Sequence, residues 1–268
     1  MARKHPKESD QRILVLDVGG THVKALVTGL KQPIEIPSGR ALTPKATVKQ
    51  VNQALTGRPY DVVSIGYPGP VLHGHPVRDP YNLGGGWVGF NFRKAFGRPV
   101  KIVNDAAMQA LGGYKRGRLL FLGLGTGLGS AMIVDGILEP MELAHLPYKN
   151  GKTYEDYVGL RGLKRLGRRK WERHVGKVVA QLREALEPEQ VVLGGGNAKK
   201  LKKLPPGTMR GNNQNAFKGG FRLWSEDKNA SRNDFETESE SELEHVGKQR
   251  FDPKPALKSA STPQPLPE

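Results

Sequence analysis

The sequence predicts an α/β protein made of two similar halves around a cleft. Three observations carry this. Residues 14–24 (LVLDVGGTHVK) read as strand, tight turn and strand. Residues 119–134 (LLFLGLGTGLGSAMIV) repeat that design about 100 residues later. A strand over residues 100–103 leads directly into a helix pattern over 106–113, the strand-to-helix step at which α/β folds place chemistry.

Residues 1–11 are polar and read as a disordered N-terminus, and residues 12–103 as an N-terminal α/β domain. Ile13 to Leu16 and His22 to Thr28 form the first hairpin. Asp17 ends its first strand, where a carboxylate can hold a hydrated Mg²⁺. Gly19 and Gly20 let backbone N–H groups approach an anion, and Thr21 adds a hydroxyl. An ordinary glycine hairpin explains these residues equally well when they stand alone. Ile34 to Ile36 is a third strand, 38–45 a turn-rich link, 47–55 a helix over the sheet, and 62–71 a buried strand ending in a rigid loop.

Residues 73–92 are the least regular part. Their core, Tyr81-Asn82-Leu83-Gly84-Gly85-Gly86-Trp87, is either a substrate wall or a structural loop that packs Trp87. Residues 90–96 form a short helix stopped by Gly97, and the strand 100–103 delivers Asn104 and Asp105 to the cleft. Asp105 is the residue that physics singles out, although an Asp at that position also caps helices.

Residues 104–224 read as a C-terminal α/β domain. Its hairpin turn carries Gly125, Thr126 and Gly127. Neither hairpin is a Walker A loop, because no Gly-Lys-Ser/Thr closes it, and neither opens a dinucleotide-binding unit, because a strand follows each turn. Glu142 and His145 are three apart and share a face on a helical turn, making a polar pocket with Asp105. As metal ligands they lack the His-Glu-x-x-His pattern. Residues 151–187 read as helical and basic. From about 168 to 186 the pattern is an amphipathic helix whose polar side holds Arg168, Arg169, Lys170, Arg173 and Lys177. That side suits a solvated face, an anion-binding face or a membrane surface. Residues 189–193 are a strand with a glycine exit, Gly194 to Gly196, that brings backbone against a flat ligand such as adenine. Lys199, Lys200, Lys202 and Lys203 add a second basic cluster, and residues 214–224 form a last helix or irregular segment. Residues 225–268 read as a disordered tail, acidic and then Pro-rich.

Composition sharpens this. The net charge is +16, and residues 1–224 carry 36 Lys and Arg against 16 Asp and Glu. A body that basic attracts polyanions: nucleic acid, anionic membrane or inorganic polyphosphate. The absence of cysteine excludes disulfides and thiolate metal sites and fits a reducing compartment. No apolar run is long enough for a membrane span, and no signal-peptide pattern follows the N-terminus, so the expected location is cytoplasmic.

Together, Asp17-Val-Gly-Gly-Thr, Val103-Asn-Asp-Ala, the second hairpin, Glu142-Leu-Ala-His and Val192-Leu-Gly-Gly-Gly resemble the ROK family of sugar kinases, within the actin-like ATPase (ribonuclease H-like) fold. The resemblance is strongest to the polyphosphate-using glucokinases of that family and runs from about residue 12 to 224. It implies phosphoryl transfer from polyphosphate, ATP or both to the 6-hydroxyl of glucose, with Asp105 as general base. It implies that Asn82, Asn104, Asp105, Glu142, His145 and Glu155 line the sugar site. Gly19, Gly20, Thr21, Lys24, Gly125, Thr126 and Gly127 then meet phosphates, Gly194 and Gly195 lie near a nucleotide base, and Asp17 orients Mg²⁺ through water. Arg168, Arg169, Lys170, Arg173, Lys177, Lys199 and Lys200 offer a track for a polyphosphate chain. A homodimer without membrane contact is also implied. The chain departs from many ROK proteins in lacking the cysteines of their zinc motif, so no zinc is expected. Two alternatives remain open at this point: an ATP-dependent hexose or N-acylhexosamine kinase, and a non-catalytic polyanion- or sugar-binding protein on the same scaffold.

Overall fold

The computed structural model describes residues 11–225. Residues 1–10 and 226–268, which hold nearly all of both segments read as disordered, lie outside the described residues.

The first half runs β1 (Ile13–Val18), β2 (His22–Val27), β3 (Ile34–Pro37), α1 (Pro44–Ala54), β4 (Val62–Tyr67), a small hairpin of β5 (Val71–Leu72) and β6 (His75–Pro76), α2 (Phe92–Phe96), β7 (Val100–Asn104) and α3 (Asp105–Gly113). The second runs β8 (Arg118–Leu124), β9 (Leu128–Val134), β10 (Ile137–Met141), a hairpin of β11 (Pro147–Lys149) and β12 (Lys152–Thr153), α4 (Tyr154–Val158), α5 (Leu160–Leu186), β13 (Gln190–Gly194), β14 (Thr208–Arg210) and α6 (Asn215–Arg222). The two large sheets have the orders β3-β2-β1-β4-β7 and β10-β9-β8-β13-β14. In each, three strands form an antiparallel meander and the other two add in parallel. The repetition glimpsed in the two hairpins therefore extends to whole sheets.

Alternation along the strands sorts side chains between faces. Leu14 and Leu16 face α1 and α2, while Val15 faces the other way, in one cluster with α3 and α6. In the second sheet Leu120 and Leu122 join the cluster with α4 and α5, whereas Leu119 and Phe121 join α3 and α6. β4 is buried at all six positions, as a parallel strand covered on both faces must be.

α3 and α6 cross between the sheets at small residues. A Cβ at Gly112 would overlap the Asn215 carbonyl, and one at Gly219 the Met108 carbonyl. α6 also binds the first sheet: Ser64 Oγ donates to Gly220 O at 2.6 Å, and Trp224 Nε1 donates to Ser64 Oγ at 2.9 Å. The last helix, grouped by sequence order with the second half, thus ties the first half down as well.

The helices start where their caps dictate. Thr43 caps α1, accepting from Ala46 N, with Pro44 at the first position, so α1 begins three residues before the expected 47. Asn91 caps α2, which ends at left-handed Gly97. The basic stretch 151–187 is not one helix. Lys152 and Thr153 form β12, and the backbone of Gly167 (φ 72°, ψ 160°) breaks α5 into two pieces. The second piece begins at 168, where the amphipathic pattern begins. The strands β5, β6, β11, β12 and β14, of two or three residues each, escape a periodicity reading.

Candidate active site

The parallel register sets Asp17 opposite Gly66 and Gly66 opposite Val103. Asp17 and Asp105 are thereby delivered to one rim of the first sheet. Asn104 takes the helix cap that was open to Asp105. Its Oδ1 accepts from Ala106 N at 2.9 Å and Ala107 N at 3.4 Å, and its Nδ2 donates to Gly69 O at 2.9 Å. Asp105 accepts from Ala106 N at 2.7 Å through Oδ1.

The Asp105 carboxyl keeps a path to solvent but is surrounded by protein mass. Burial, then the charge of Asp17 and, more weakly, that of Glu142 push its pKa up to about 7, against the pull of the Ala106 N–H. Burial also raises the pKa of Asp17, opposed by Lys24, its cross-strand partner. Lys24 Nζ stands 3.3 Å from Glu35. Asp17 draws no hydrogen bond that would hold its charge. Among the described residues no three acidic or histidine side chains gather to bind a metal directly. A lone carboxylate at this rim is a donor set that would suit a cation keeping most of its water, as Mg²⁺ does.

Glu142 precedes a 3₁₀ turn, Leu143–His145. Ser130 Oγ pins that turn, donating to Met141 O at 2.8 Å and accepting from Leu143 N at 3.1 Å. His145 Nε2 lies 3.8 Å from Glu142 Oε1, so the two do share a face. Burial, followed by the charge of Glu155, raises the Glu142 pKa, while His145 and Arg78 oppose it. Glu155, on α4, rests against the second turn, where a Cβ at Gly127 would overlap its Oε2. Asn82 rests against the first turn, 3.2 Å from where a Gly20 Cβ would stand. The structure thus brings Asp17, Asn82, Asp105, Glu142, His145 and Glu155 together around the two glycine turns, whose Thr21 and Thr126 are exposed.

The second turn is stitched to its neighbours. Asn197 Nδ2 donates to Gly125 O at 2.8 Å, and Leu160 N at the start of α5 donates to Gly125 O at 3.0 Å. Beyond the turn lies a recess of about 350 Å³ lined by Gly195, Gly196, Lys199, Arg210, Asn212 and Asn213. Gly194 stands behind it, packed on Phe121. The two basic clusters meet: Glu172 Oε1 on α5 accepts from Lys202 N at 2.9 Å and lies 4.0 Å from Arg168 Nε. Arg168, Arg169, Lys170, Arg173, Lys177, Lys199 and Lys200 are all exposed.

Sequence reading missed three contributors. Asp79 accepts from the backbone N–H groups of Gly86, Trp87 and Val88 and so closes the Asn82 loop. An Asp before Pro80 is a turn signal that could have pointed to it. Arg78, which acts on Glu142, and Arg210, which donates to Ala198 O and Leu201 O, sit in an irregular loop and a three-residue strand that offer no period to read.

No family model matches the chain. It is 30% identical over 213 residues to the polyphosphate glucokinase of Mycobacterium tuberculosis (strain CDC 1551 / Oshkosh), covering 71% of this chain and 80% of that protein. Its fold matches the inorganic polyphosphate/ATP-glucomannokinase of Arthrobacter sp. strain KM with TM-score 0.69 at 24% identity, over 80% of this chain and 98% of that one. A ROK family glucokinase from Streptomyces griseus, solved with glucose and AMPPNP, matches with TM-score 0.64 at 17% identity, over 79% and 98% of the two chains. These two structures establish the actin-like ATPase fold, and the mycobacterial relative establishes the kinship. The chain belongs to the ROK family of sugar kinases and, within it, stands with the polyphosphate glucokinases.

Proposed function

We propose that the chain is a glucokinase that transfers a phosphoryl group from inorganic polyphosphate, with ATP as a second donor, to the 6-hydroxyl of glucose. The observation that carries this reading is Asp105: sharing the Ala106 N–H with the capping Asn104, it stands at the cleft beside Asp17 and Glu142 with a pKa of about 7. A base with that pKa works at neutral pH.

Phosphoryl transfer asks a protein mainly to position reactants and stabilise charge. The sugar oxygen attacks the terminal phosphorus, the bond to the rest of the donor breaks, and Asp105 takes the hydroxyl proton. Asn82, Glu142, His145 and Glu155 hold the other sugar hydroxyls. Asn104 has one amide hydrogen left to offer them, its other polar capacity being spent on the cap and on Gly69. The N–H groups of Gly19 and Gly125 close the turns themselves, donating to His22 O at 3.0 Å and Gly127 O at 3.2 Å, which leaves the N–H groups of Gly20 and Gly127 to face the donor phosphates, with the hydroxyls of Thr21 and Thr126 and the ammonium of Lys24. Asp17 would hold Mg²⁺ through water, and the bound ion would supply charge neutralisation on the moving group.

The joined basic ridge supports polyphosphate as donor. ATP needs the glycine turns and the recess at Gly195. The cations from Arg168 to Lys177 and from Lys199 onward extend further than a triphosphate requires, and a phosphate polymer uses them as nucleic acid uses a basic groove. The test is glucose 6-phosphate formation with Mg²⁺, run with long-chain polyphosphate and with ATP at several salt concentrations. Product from polyphosphate that falls steeply with salt supports the reading. Product from ATP alone removes polyphosphate from it, and no product from either overturns it.

A further inference from the structure

Between His145 and Glu155 the chain leaves the cleft and returns. It runs out along β11, turns at Asn150 and Gly151, both at positive φ, and comes back along β12 into α4. The two ends are held by Tyr154 N donating to Leu146 O at 3.0 Å. Where this excursion docks decides where His145 and Glu155 sit, because each lies within two residues of its base.

The docking is aromatic. Tyr148, in the middle of β11, packs edge-on against Tyr154 at 5.4 Å, Tyr157 at 5.0 Å and His174 at 5.7 Å between ring centroids. His174 lies on α5, a different element, and its ring also meets Tyr157 at 4.7 Å. Within this box one contact is a hydrogen bond: Tyr148 Oη and His174 Nδ1 stand 3.0 Å apart, the donor being set by the imidazole tautomer. Ring packing tolerates sliding, whereas a hydrogen bond sets the register of one element on another. Burial, with Lys149, Lys177, Arg173 and Arg165 around the ring, lowers the His174 pKa, so the imidazole is neutral at neutral pH. None of these residues belongs to the proposed sugar or phosphate contacts except Arg173 and Lys177 on the donor ridge.

We propose that Tyr148 and His174 are positioning residues that fix the His145–Glu155 excursion on α5 and thereby set the sugar-binding side chains against the donor helix. The inference rests on the reading of Glu142, His145 and Glu155 as sugar contacts.

The test compares Tyr148→Phe, His174→Leu and His174→Asn with wild type in the glucose assay. Phe keeps the ring and loses only the hydroxyl. Asn keeps a polar atom near the place of Nδ1, and Leu does not. One hydrogen bond of ordinary strength corresponds to about a three- to tenfold change, so Tyr148→Phe and His174→Leu raise the glucose KM about that much. kcat and the donor KM stay within about twofold, and His174→Asn restores most of the loss. An unchanged glucose KM in Tyr148→Phe overturns the proposal, as does an equal rise in glucose and donor KM, which marks general loosening. Glu155→Gln measured alongside separates the two levels. If it raises the glucose KM while Tyr148→Phe does not, the positioning role fails and the sugar site stands. If neither does, both fail.

Discussion

The carboxylate of Glu155 lies so close to Gly127 that a methyl group there would overlap its Oε2. The proposed sugar residue Glu155 and the proposed phosphate turn thus share one wall, and a methyl group there displaces the Glu155 carboxylate first. Gly127→Ala must displace it. Misplacing a reacting group by about 1 Å can cost about 100-fold, and we expect a loss of that order in kcat/KM. Gly125→Ala, with open space at its Cβ, loses less. Equal losses in the two variants would show that the proximity of Glu155 is not what matters.

Asp105 makes the free enzyme less stable as pH rises. Its folded pKa of about 7 lies above the usual 3.8, so the folded state holds the proton more tightly than the unfolded chain. That contribution is fully present below about pH 4 and is lost as pH rises through about 7. Asp105→Asn escapes the loss, which is at most about 4 kcal/mol. Its Tm should exceed that of wild type at pH 8, with the gap closing toward pH 4. A variant less stable than wild type at pH 8 contradicts the burial argument.

Replacing Arg169, Lys170 and Arg173 by Gln should weaken polyphosphate use more than ATP use. The slope of log KM for polyphosphate against log salt should fall by about 0.7 to 0.9 for each phosphate that the variant no longer neutralises. These side chains are exposed, so no loss of stability should accompany the change. Equal effects on the two donors would demote the ridge to a solvated face.

The α3–α6 crossing is a further target. Gly219→Ala places a methyl group on the Met108 carbonyl. Overpacking of this kind costs about 1–3 kcal/mol, which in a chain of this size lowers Tm by several degrees. A Tm equal to wild type would mean that the helices part readily.

Much of this site is legible in the sequence. Asp17, Asp105 and the two turns stand at strand ends, and strand ends announce themselves by the switch from apolar residues to Gly, Asn and Asp. Asn104 is legible as a residue but not in its division of labour, because two adjacent capping residues compete and only backbone geometry decides between them. The full duplication is hidden because β10 and β14 carry Glu139, Pro140 and Arg210, which blunt the strand pattern. The hairpin of β11 and β12 is masked because its few residues sit beside a long basic helix, and its Tyr148 meets His174 from 26 residues away. Pairings at that range leave no period in a sequence.

The most direct test of Asp105 as the base is Asp105→Asn in single-turnover phosphorylation of glucose from polyphosphate, with glucose binding measured in parallel. The account predicts a fall of about 10²- to 10⁴-fold in the chemical step with glucose affinity kept within a few fold, and a pH limb near 7 in wild type that the variant loses. A variant that phosphorylates glucose within a few fold of the wild-type rate, with the limb intact, would contradict it.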